Sequence, residues 1–228
     1  MENKEILDFI KANKELFQDS SGRLDWPKIY ELASIRFKYD SMGKFTEFWL
    51  NRNIHPENYL TELSNYFLCK STIKEFTIPD NITSIGSTAF SNCSSLASIS
   101  IGNNVTSIGD SVFLGCTGLT SITIPPKVTS IGEYAFCYCK SLTSIEIPGN
   151  VTSISDSAFN NCLGLKNVTI PNSVMSIGDY AFYECGYNLI INYDGTKADW
   201  KKIYSPRSFE HTYFTVNCLD GKIVKKKR

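Results

Sequence analysis

Apolar residues return along this chain at a fixed interval of 23 positions between about residues 73 and 187. Within each interval, a Leu-x2-Ile-x-Ile alternation predicts a strand with one buried face, and a proline or glycine ends that strand. A shorter extended piece follows, and an Ala-Phe or Val-Phe pair then directs an aromatic ring inward. The repeated columns are Phe90, Phe113, Phe136, Phe159 and Phe182; Ile85, Ile108, Ile131, Ile154 and Ile177; and Cys93, Cys116, Cys139, Cys162 and Cys185.

Such a period is typical of a solenoid, because one repeat cannot bury its own apolar face and stacked coils form a continuous core. We predict an α+β fold: a β-solenoid of five full repeats, with Ile191 and Tyr193 adding a sixth strand in register. The predicted domains are a helical N-terminal cap over 1–70, the solenoid over 71–193, and a C-terminal cap over 194–228 with a β-hairpin and a basic tail.

Residues 1–70 lack the repeat and carry helical apolar patterns instead. Asp25, before Trp26-Pro27, is a suitable start for the second helix, and further short helices are predicted over 45–50 and 56–67. At the other end, Asp220-Gly221 is a hairpin turn signal. The apolar residues predicted for the first two helices are Ile6, Leu7, Phe9, Ile10, Leu16 and Phe17, then Ile29, Leu32, Ala33, Ile35 and Phe37.

Five of the eight cysteines share one column, where a small thiol packs in the core and donates weakly to a carbonyl. Parallel side chains in one column point alongside each other, so the coil spacing does not predict disulfides. Cys137 and Cys139 are too close in sequence for a zinc motif, and His55 and His211 are the only histidines. We therefore predict a reduced, structural cysteine ladder without a metal site, which fits an intracellular protein.

The repeat from Leu119 to Cys139 resembles the unit of the BspA-like leucine-rich repeat almost residue for residue. The tail also resembles that family's closing segment, in Tyr193-x-Gly195-Thr196-x3-Trp200-x2-Ile203 and Val216-x-Cys218-x-Asp220-Gly221-x-Ile223. The resemblance implies a leucine-rich-repeat solenoid of the kind found in bacterial, protist and phage proteins. It also implies a protein-binding role, frequently that of a surface adhesin.

Charge and hydropathy give no sign of a nucleic-acid or membrane partner. Lys plus Arg and Asp plus Glu are 23 each, and no apolar run approaches the roughly 18 residues of a membrane helix. No signal peptide is visible at the start, so we expect a cytoplasmic protein, and a cell-surface one only with an export signal outside this sequence. Trp26 and Trp49 resemble the tryptophans of Myb-type domains, which keeps DNA binding as an alternative, although Lys44 and Arg52 are the only basic residues of the candidate helix 41–53.

The sequence contains no recognisable catalytic constellation or phosphate-binding loop, so we expect neither an enzyme nor a cofactor. Its serines stand at fixed columns, which is a structural pattern, whereas a nucleophile would be unique. We expect a non-enzymatic module that binds another protein. The alternatives are a nucleic-acid-binding adaptor acting through the helical domain and an adhesin or glycan-binding protein.

The columns that vary between repeats are where specificity should lie. Tyrosines gather in them toward the C-terminal half of one flank, and tyrosine is enriched at binding hot spots. An alternative interpretation is that the rings only cover the ridge between coils. Glu146 belongs to the outward strand positions, which otherwise carry serine, threonine and asparagine. The predicted partner-binding residues are Tyr134, Tyr138, Tyr180, Tyr183 and Glu146.

Overall fold

The computed structural model describes residues 3–18, 25, 28, 29, 32, 33, 42, 44–46, 50, 60, 62, 63 and 65–225. Within these residues the chain forms a β-solenoid of about seven turns with a repeat of ~23 residues, as the sequence predicts. Each coil has three sides: a longer strand, a short strand, and a segment of consecutive turns. The three sides enclose one continuous apolar core that also includes the buried residues of the N-terminal helices.

The longer strands stack in parallel on one side of the solenoid, because each Leu-x2-Ile-x-Ile alternation buries its isoleucines and exposes its polar residues. The short strands form a second parallel ladder, which isolated bridges at Ile108 and Tyr204 extend. The longer strands are β2 (Glu75–Ile78), β4 (Ser98–Ile101), β6 (Ser144–Glu146), β8 (Asn167–Ile170) and β10 (Leu189–Tyr193). The short strands are β1 (Glu62–Leu63), β3 (Ser84–Ile85), β5 (Ser130–Ile131), β7 (Ser153–Ile154) and β9 (Ser176–Ile177).

Two elements differ from the sequence prediction. The helix predicted over 56–67 is wrong at Glu62–Leu63, which form β1 and pair with Ser84–Ile85. The first coil therefore begins before residue 71. Residues 121–124 form no strand, although Ile122 and Ile124 are buried as the alternation predicts. The longer strands consequently fall into two sheets, one formed by β2 and β4 and the other containing β6, β8 and β10.

The aromatic spine predicted from the phenylalanine column is confirmed and continues beyond it. Ring centroids of consecutive coils lie 5.6 Å apart at the start of the stack and 5.0 Å apart at its end, with interplanar angles of 20° or less. Phe67 begins the spine with an edge contact to Phe90, and Phe209 ends it beneath Phe182. Every one of these rings is fully buried, so the spine is the centre of the core.

The cysteine ladder also has the predicted form. All eight cysteines are free, and each thiol of the repeated column donates to a backbone carbonyl of the preceding coil at 2.9–3.2 Å. In the last coil Thr212 replaces the cysteine, and its hydroxyl donates to the carbonyl of Phe182. Each bond satisfies a carbonyl inside the core, so the column joins neighbouring coils as well as filling space.

The described part of the N-terminal region is largely helical, as predicted. Helix α1 (Asn3–Ala12) and a 3-10 helix (Lys14–Phe17) bury Ile6, Phe9 and Phe17, but Leu7 and Leu16 are exposed, contrary to the predicted face. Asp25 begins the next helical stretch, because its side chain accepts a hydrogen bond from the backbone N–H of Lys28 at 3.2 Å. Ile35, Phe37, Trp26, Trp49 and Arg52 lie outside the described residues.

The C-terminal cap closes the last coil with a helix and a hairpin. Helix α2 (Lys197–Ile203) begins at Thr196, whose hydroxyl accepts from the N–H of Asp199 at 3.2 Å, and it buries Trp200 against Phe209. Strand β11 (Phe214–Cys218) pairs in parallel with β10, and β12 (Gly221–Lys225) pairs antiparallel with β11. The predicted hairpin is thus confirmed, although the two residues between the strands are Leu219 and Asp220.

Candidate interaction face

The third side of each coil is a run of consecutive turns. We call the outer surface of these stacked runs the turn face. Alternate N–H groups of each run donate to carbonyls of the next coil, as in Tyr134 to Asp156 at 3.2 Å and Tyr138 to Asn160 at 2.8 Å. The runs therefore stack as closely as the strands do. They are residues 65–70, 87–92, 110–115, 133–138, 156–161 and 179–184.

Two columns of the turn face have the left-handed backbone conformation in every coil from the second to the sixth. The sequence does not reveal this, because the columns carry diverse residues and only Gly115, Asn92 and Asn161 are of types that the conformation favours. Three of the predicted site residues, Tyr134, Tyr138 and Tyr180, stand in these columns with φ of 55–60°. The columns are Thr88, Ser111, Tyr134, Ser157 and Tyr180, and Asn92, Gly115, Tyr138, Asn161 and Glu184.

The structure places all four predicted tyrosines on the turn face. Tyr134 and Tyr138 are each 45% exposed and Tyr180 is 37% exposed, so each ring both covers its neighbours and reaches solvent. Tyr180 and Tyr183 touch edge to face, with ring centroids 5.8 Å apart. Tyr134 and Tyr180 are two coils apart in one column, which is roughly 10 Å at the spacing of stacked strands. The four rings therefore lie on one surface.

Tyr183 sits at the C-terminal end of this surface among charged groups. Its ring contacts the imidazole of His211 at a centroid distance of 5.3 Å. Desolvation, together with the nearby carboxylates of Glu184 and Glu210, raises the pKa of the Tyr183 phenol above its usual value. The shift only reinforces the protonated state that a tyrosine already has at neutral pH, in which the phenol is a hydrogen-bond donor.

Glu146 does not join the tyrosines. It lies on β6, where it pairs with Thr169, and its side chain is exposed on the sheet side of the coil. There it lines an open groove of about 520 Å³ with Ser121, Thr123 and Ser144, beside the coil whose residues 121–124 form no strand. The five predicted residues thus occupy two different faces.

Carboxylates form a column beside the tyrosines, and sequence reasoning did not select them. The Asp110 carboxylate accepts the N–H of Glu133 at 2.9 Å, and the Asp156 carboxylate accepts that of Asp179 at 2.8 Å. The two bonded carboxylates lie where a side chain on Gly132 or Gly178 of the following coil would have to fit. A Cβ on Gly178 would lie 2.3 Å from the Asp156 carboxylate oxygen and 2.6 Å from its backbone nitrogen.

Ser155 stands where other coils have glycine, which suggests from sequence a strained or differently shaped turn. The structure shows an ordinary turn at Ser155. The Ser155 N–H donates to the carbonyl of Ile131 at 3.2 Å, just as the Gly178 N–H donates to the carbonyl of Ile154 at 2.8 Å, and the φ of Ser155 is not positive. The preceding coil carries Glu133 in place of aspartate. Gly132 and Gly178 are therefore required by close approach to an aspartate and not by a special φ.

The structure also exposes apolar residues that were not predicted as sites. Met175 is 70% exposed and replaces the threonine of four earlier coils, which was a usable signal in the sequence. It lines a groove of about 490 Å³ with Leu219, at the junction with the C-terminal cap. Leu163 and Tyr187 are exposed as well. These side chains provide comparison positions outside the turn face.

The described residues show no cluster of metal-ligating side chains, and their buried thiols are not activated. No group of three or more His, Cys, Asp and Glu side chains among them could hold a metal ion. Burial raises the pKa of Cys137 to about 11 and that of Cys162 further still, which keeps these thiols protonated and unreactive. A helix long and apolar enough to cross a membrane does not occur in the part of the chain that is described.

Comparison with known proteins agrees with this geometry. Among curated proteins, none matches the chain. Among solved structures, a leucine-rich repeat protein of T. pallidum is 25% identical over 59% of this chain and 66% of its own, with a TM-score of 0.54. The pneumococcal vaccine antigen PcpA is 18% identical over 72% of this chain and 45% of its own, with a TM-score of 0.51, which shows the fold alone.

A leucine-rich cell surface protein of Faecalibacterium prausnitzii is 28% identical over 64% of this chain and 32% of its own, with a TM-score of 0.44. The chain spans less than two thirds of the length of each of these three proteins. Residues 61–188 match the BspA type leucine rich repeat region in six copies, which is more than half of the chain. With the repeat, the coil geometry and this match in agreement, the chain belongs to the BspA-type leucine-rich repeat family.

Proposed function

We propose that the protein is a non-enzymatic module that binds another protein through the turn face. The observation that carries the proposal is the presence of Tyr134, Tyr138 and Tyr180 at left-handed backbone positions, exposed by 37–45%. A residue with a Cβ in this conformation costs about 1–2 kcal/mol, and glycine or asparagine reduces that cost. The backbone conformation therefore does not favour tyrosine at these positions, which supports a role of the exposed rings in binding.

Tyrosine suits such a surface because it buries a large area with few rotatable bonds and keeps a polar tip. The close stacking of the runs holds the rings on a rigid backbone, so little conformational entropy is lost when a partner binds. Ser157 lies between Tyr134 and Tyr180 in their column, which leaves a space between these two rings. A partner would insert its own side chains between them.

The absence of an enzymatic role is part of the proposal. It is supported by the family, whose repeats are generally non-catalytic, and by the protonated state of the buried thiols. Glu146 belongs to a second candidate surface on the sheet side, where its groove is lined by hydroxyl groups. That surface lies on a different side of the coil from the tyrosines.

The test is capture of partners from a lysate of the source cell by the intact chain and by matched variants. Tyr134→Ser/Tyr180→Ser removes two rings but keeps a residue that the column already tolerates, since Ser111 and Ser157 have the same conformation. Met175→Thr is the control, because it removes an exposed apolar side chain elsewhere and restores the threonine of the other coils. We expect the control to retain the captured protein and the double variant to lose it.

Two treatments of the lysate separate the alternative functions. Nuclease should leave capture unchanged; capture that disappears with nuclease would assign the function to nucleic acid. Periodate oxidation of glycans should also leave capture unchanged, and its loss would favour an adhesin or glycan-binding role. Equal capture by the double variant and the control would contradict the turn face as the binding surface.

A further inference from the structure

The turn face carries a local negative charge in a chain whose formal net charge is zero. The four runs that contain or flank the tyrosines, residues 110–115, 133–138, 156–161 and 179–184, hold five acidic residues and no basic one. The five are Asp110, Glu133, Asp156, Asp179 and Glu184. Glu133 directly precedes Tyr134 and Asp179 directly precedes Tyr180, so the acidic column runs beside a tyrosine column in the stacked coils.

Not all of this charge is balanced within the chain. Asp179 accepts the Ser205 hydroxyl at 2.7 Å and pairs with Arg207 at 3.4 Å, so it already has a cationic partner. Glu133, next to Tyr134, is exposed and forms no ion pair with any described residue. The carboxylates of Glu184 and Glu210 both contribute to the raised pKa of the Tyr183 phenol. The His211 imidazole lies 3.9 Å from the Glu210 carboxylate.

The chain's own cations show what this surface accommodates. The Lys140 ammonium lies 5.8 Å from the centroid of the Tyr138 ring, and the Arg207 guanidinium reaches the Asp179 carboxylate. Both are contacts that an external lysine or arginine would make: a cation over an aromatic face and a cation against a carboxylate. At Tyr134 and Glu133 the ring and the carboxylate are present, but no described side chain supplies the cation.

We propose that the partner presents a segment rich in arginine or lysine to the turn face, with its cations seated between the tyrosine rings and the acidic column. This inference rests on the proposed binding role of the face and adds the chemistry of the partner. An aromatic ring attracts a cation through its quadrupole, and a nearby carboxylate adds a charge-assisted hydrogen bond. The same negative potential repels phosphate backbones, so it selects against nucleic acid at this surface.

The test measures binding of four fluorescein-labelled peptides by anisotropy. Each peptide alternates serine with one other residue: arginine, lysine, citrulline or glutamate. Citrulline is the control for charge, because it matches arginine in shape but is neutral. We expect the intact chain to bind the arginine and lysine peptides at least about tenfold more tightly than the citrulline peptide, with the difference shrinking as salt rises. Equal binding of the arginine and citrulline peptides would overturn the inference.

Charge-neutral variants locate the site. Glu133→Gln/Glu184→Gln removes two charges from the turn face at nearly constant shape, and Glu75→Gln/Glu146→Gln removes two from exposed positions on the sheet side. We expect Glu133→Gln/Glu184→Gln to weaken binding of the arginine peptide about tenfold and Glu75→Gln/Glu146→Gln to leave its affinity unchanged. Equal effects of both variants would show a diffuse electrostatic attraction and would contradict a site on the turn face.

The lysate capture distinguishes failure of this inference from failure of the proposed function. If capture is lost with Tyr134→Ser/Tyr180→Ser but is kept by Glu133→Gln/Glu184→Gln and at high salt, the turn face binds a protein that is not cationic. The binding function then stands and the inference about the partner falls. If the tyrosine variant keeps both the captured protein and the arginine peptide, both proposals fail.

Discussion

The interior of the solenoid and its turn face obey different rules, although they are built by the same short segment of each coil. In the run 133–138, Phe136 is fully buried in the spine, while Tyr134 and Tyr138 on either side are nearly half exposed. The interior column repeats phenylalanine in every coil from the second to the sixth, and the outer columns vary among threonine, serine, tyrosine, asparagine, glycine and glutamate. The interior column is constrained by the volume available in the core, and the outer columns are constrained by backbone conformation alone.

This difference shows how a repeat protein separates stability from specificity. A ring stacked 5.2–5.3 Å from its neighbours in the coils above and below can be replaced only at the cost of a cavity. A left-handed position on the surface accepts many residues, each at a modest conformational cost. The turn face can therefore change its residues, and so its partner, without disturbing the coil. Changes to the interior should therefore affect stability more than changes to the turn face.

Raising the pH should weaken the interior first, through the cysteine ladder. Burial raises the pKa of the ladder thiols Cys116 and Cys162 well above the usual value of 9.0, and it raises the pKa of Cys137, a buried thiol outside the ladder, to about 11. The neutral thiols' contribution to stability is thus complete below about pH 9 and is lost as the pH rises toward the folded-state pKa. Each thiol should cost about 1.4 kcal/mol per pH unit in that window, so several together cost more than any single substitution.

The measurement is the free energy of unfolding from denaturant titrations between about pH 8 and pH 10.5 in the presence of a reductant. Cys218 lies on β11 and is only partly buried, so a Cys218→Ser variant should show nearly the same pH dependence. An unfolding free energy that stays flat over this range would mean that the thiols are not held neutral in the core.

Phe136→Ala should be the most damaging single substitution. It removes a fully buried ring that stacks on Phe113 and Phe159, and the neighbouring coils can collapse only in part. We expect a loss of about 3–5 kcal/mol in the free energy of unfolding, measured by denaturant titration. A loss below about 1 kcal/mol would show that the spine is loosely packed.

Gly178→Ala should cost less, about 1–3 kcal/mol, because the new Cβ would press on the Asp156 backbone and its carboxylate. Ser155→Ala is the matched control in the same column, where a side chain is already present, and it should change stability by less than about 0.5 kcal/mol. Equal costs at both positions would contradict the account of close approach to aspartate.

Tyr138→Asn should have the opposite sign. Asn92 and Asn161 occupy this column in other coils, and asparagine tolerates the left-handed conformation better than tyrosine does. We expect a gain of about 0.5–1 kcal/mol in the free energy of unfolding. A clear loss of stability would show that the ring contributes more by covering its neighbours than its conformation costs.

The interior could be predicted from the sequence almost completely. A buried column must keep its size, so the phenylalanine spine and the thiol-to-carbonyl bonds follow from the repeat. The two caps were predicted, but the first and last coils were not, because the spacing changes there: Glu62 pairs with Ser84 at a separation of 22 residues, and Thr212 replaces the next cysteine 27 residues after Cys185. The inserted helix α2 lengthens that last coil.

The turn face could be predicted only in part. The tyrosines were visible as variable residues, but their left-handed conformation was not, since such diverse side chains carry no common signal. The acidic column was overlooked because its glycine neighbours suggest a turn and hide the role of Asp156. Glu146 was grouped with the tyrosines, although its strand faces another side of the coil.

The central claim, that the tyrosines serve binding and not folding, is tested most directly by the unfolding of Tyr134→Ser/Tyr180→Ser. Both substitutions place serine where Ser111 and Ser157 already adopt the required conformation. The account predicts a free energy of unfolding within about 0.5 kcal/mol of the unmodified chain, together with loss of the captured partner. A destabilisation of about 2 kcal/mol or more would mean that the rings cover the ridge between coils as part of the fold, and would contradict the claim.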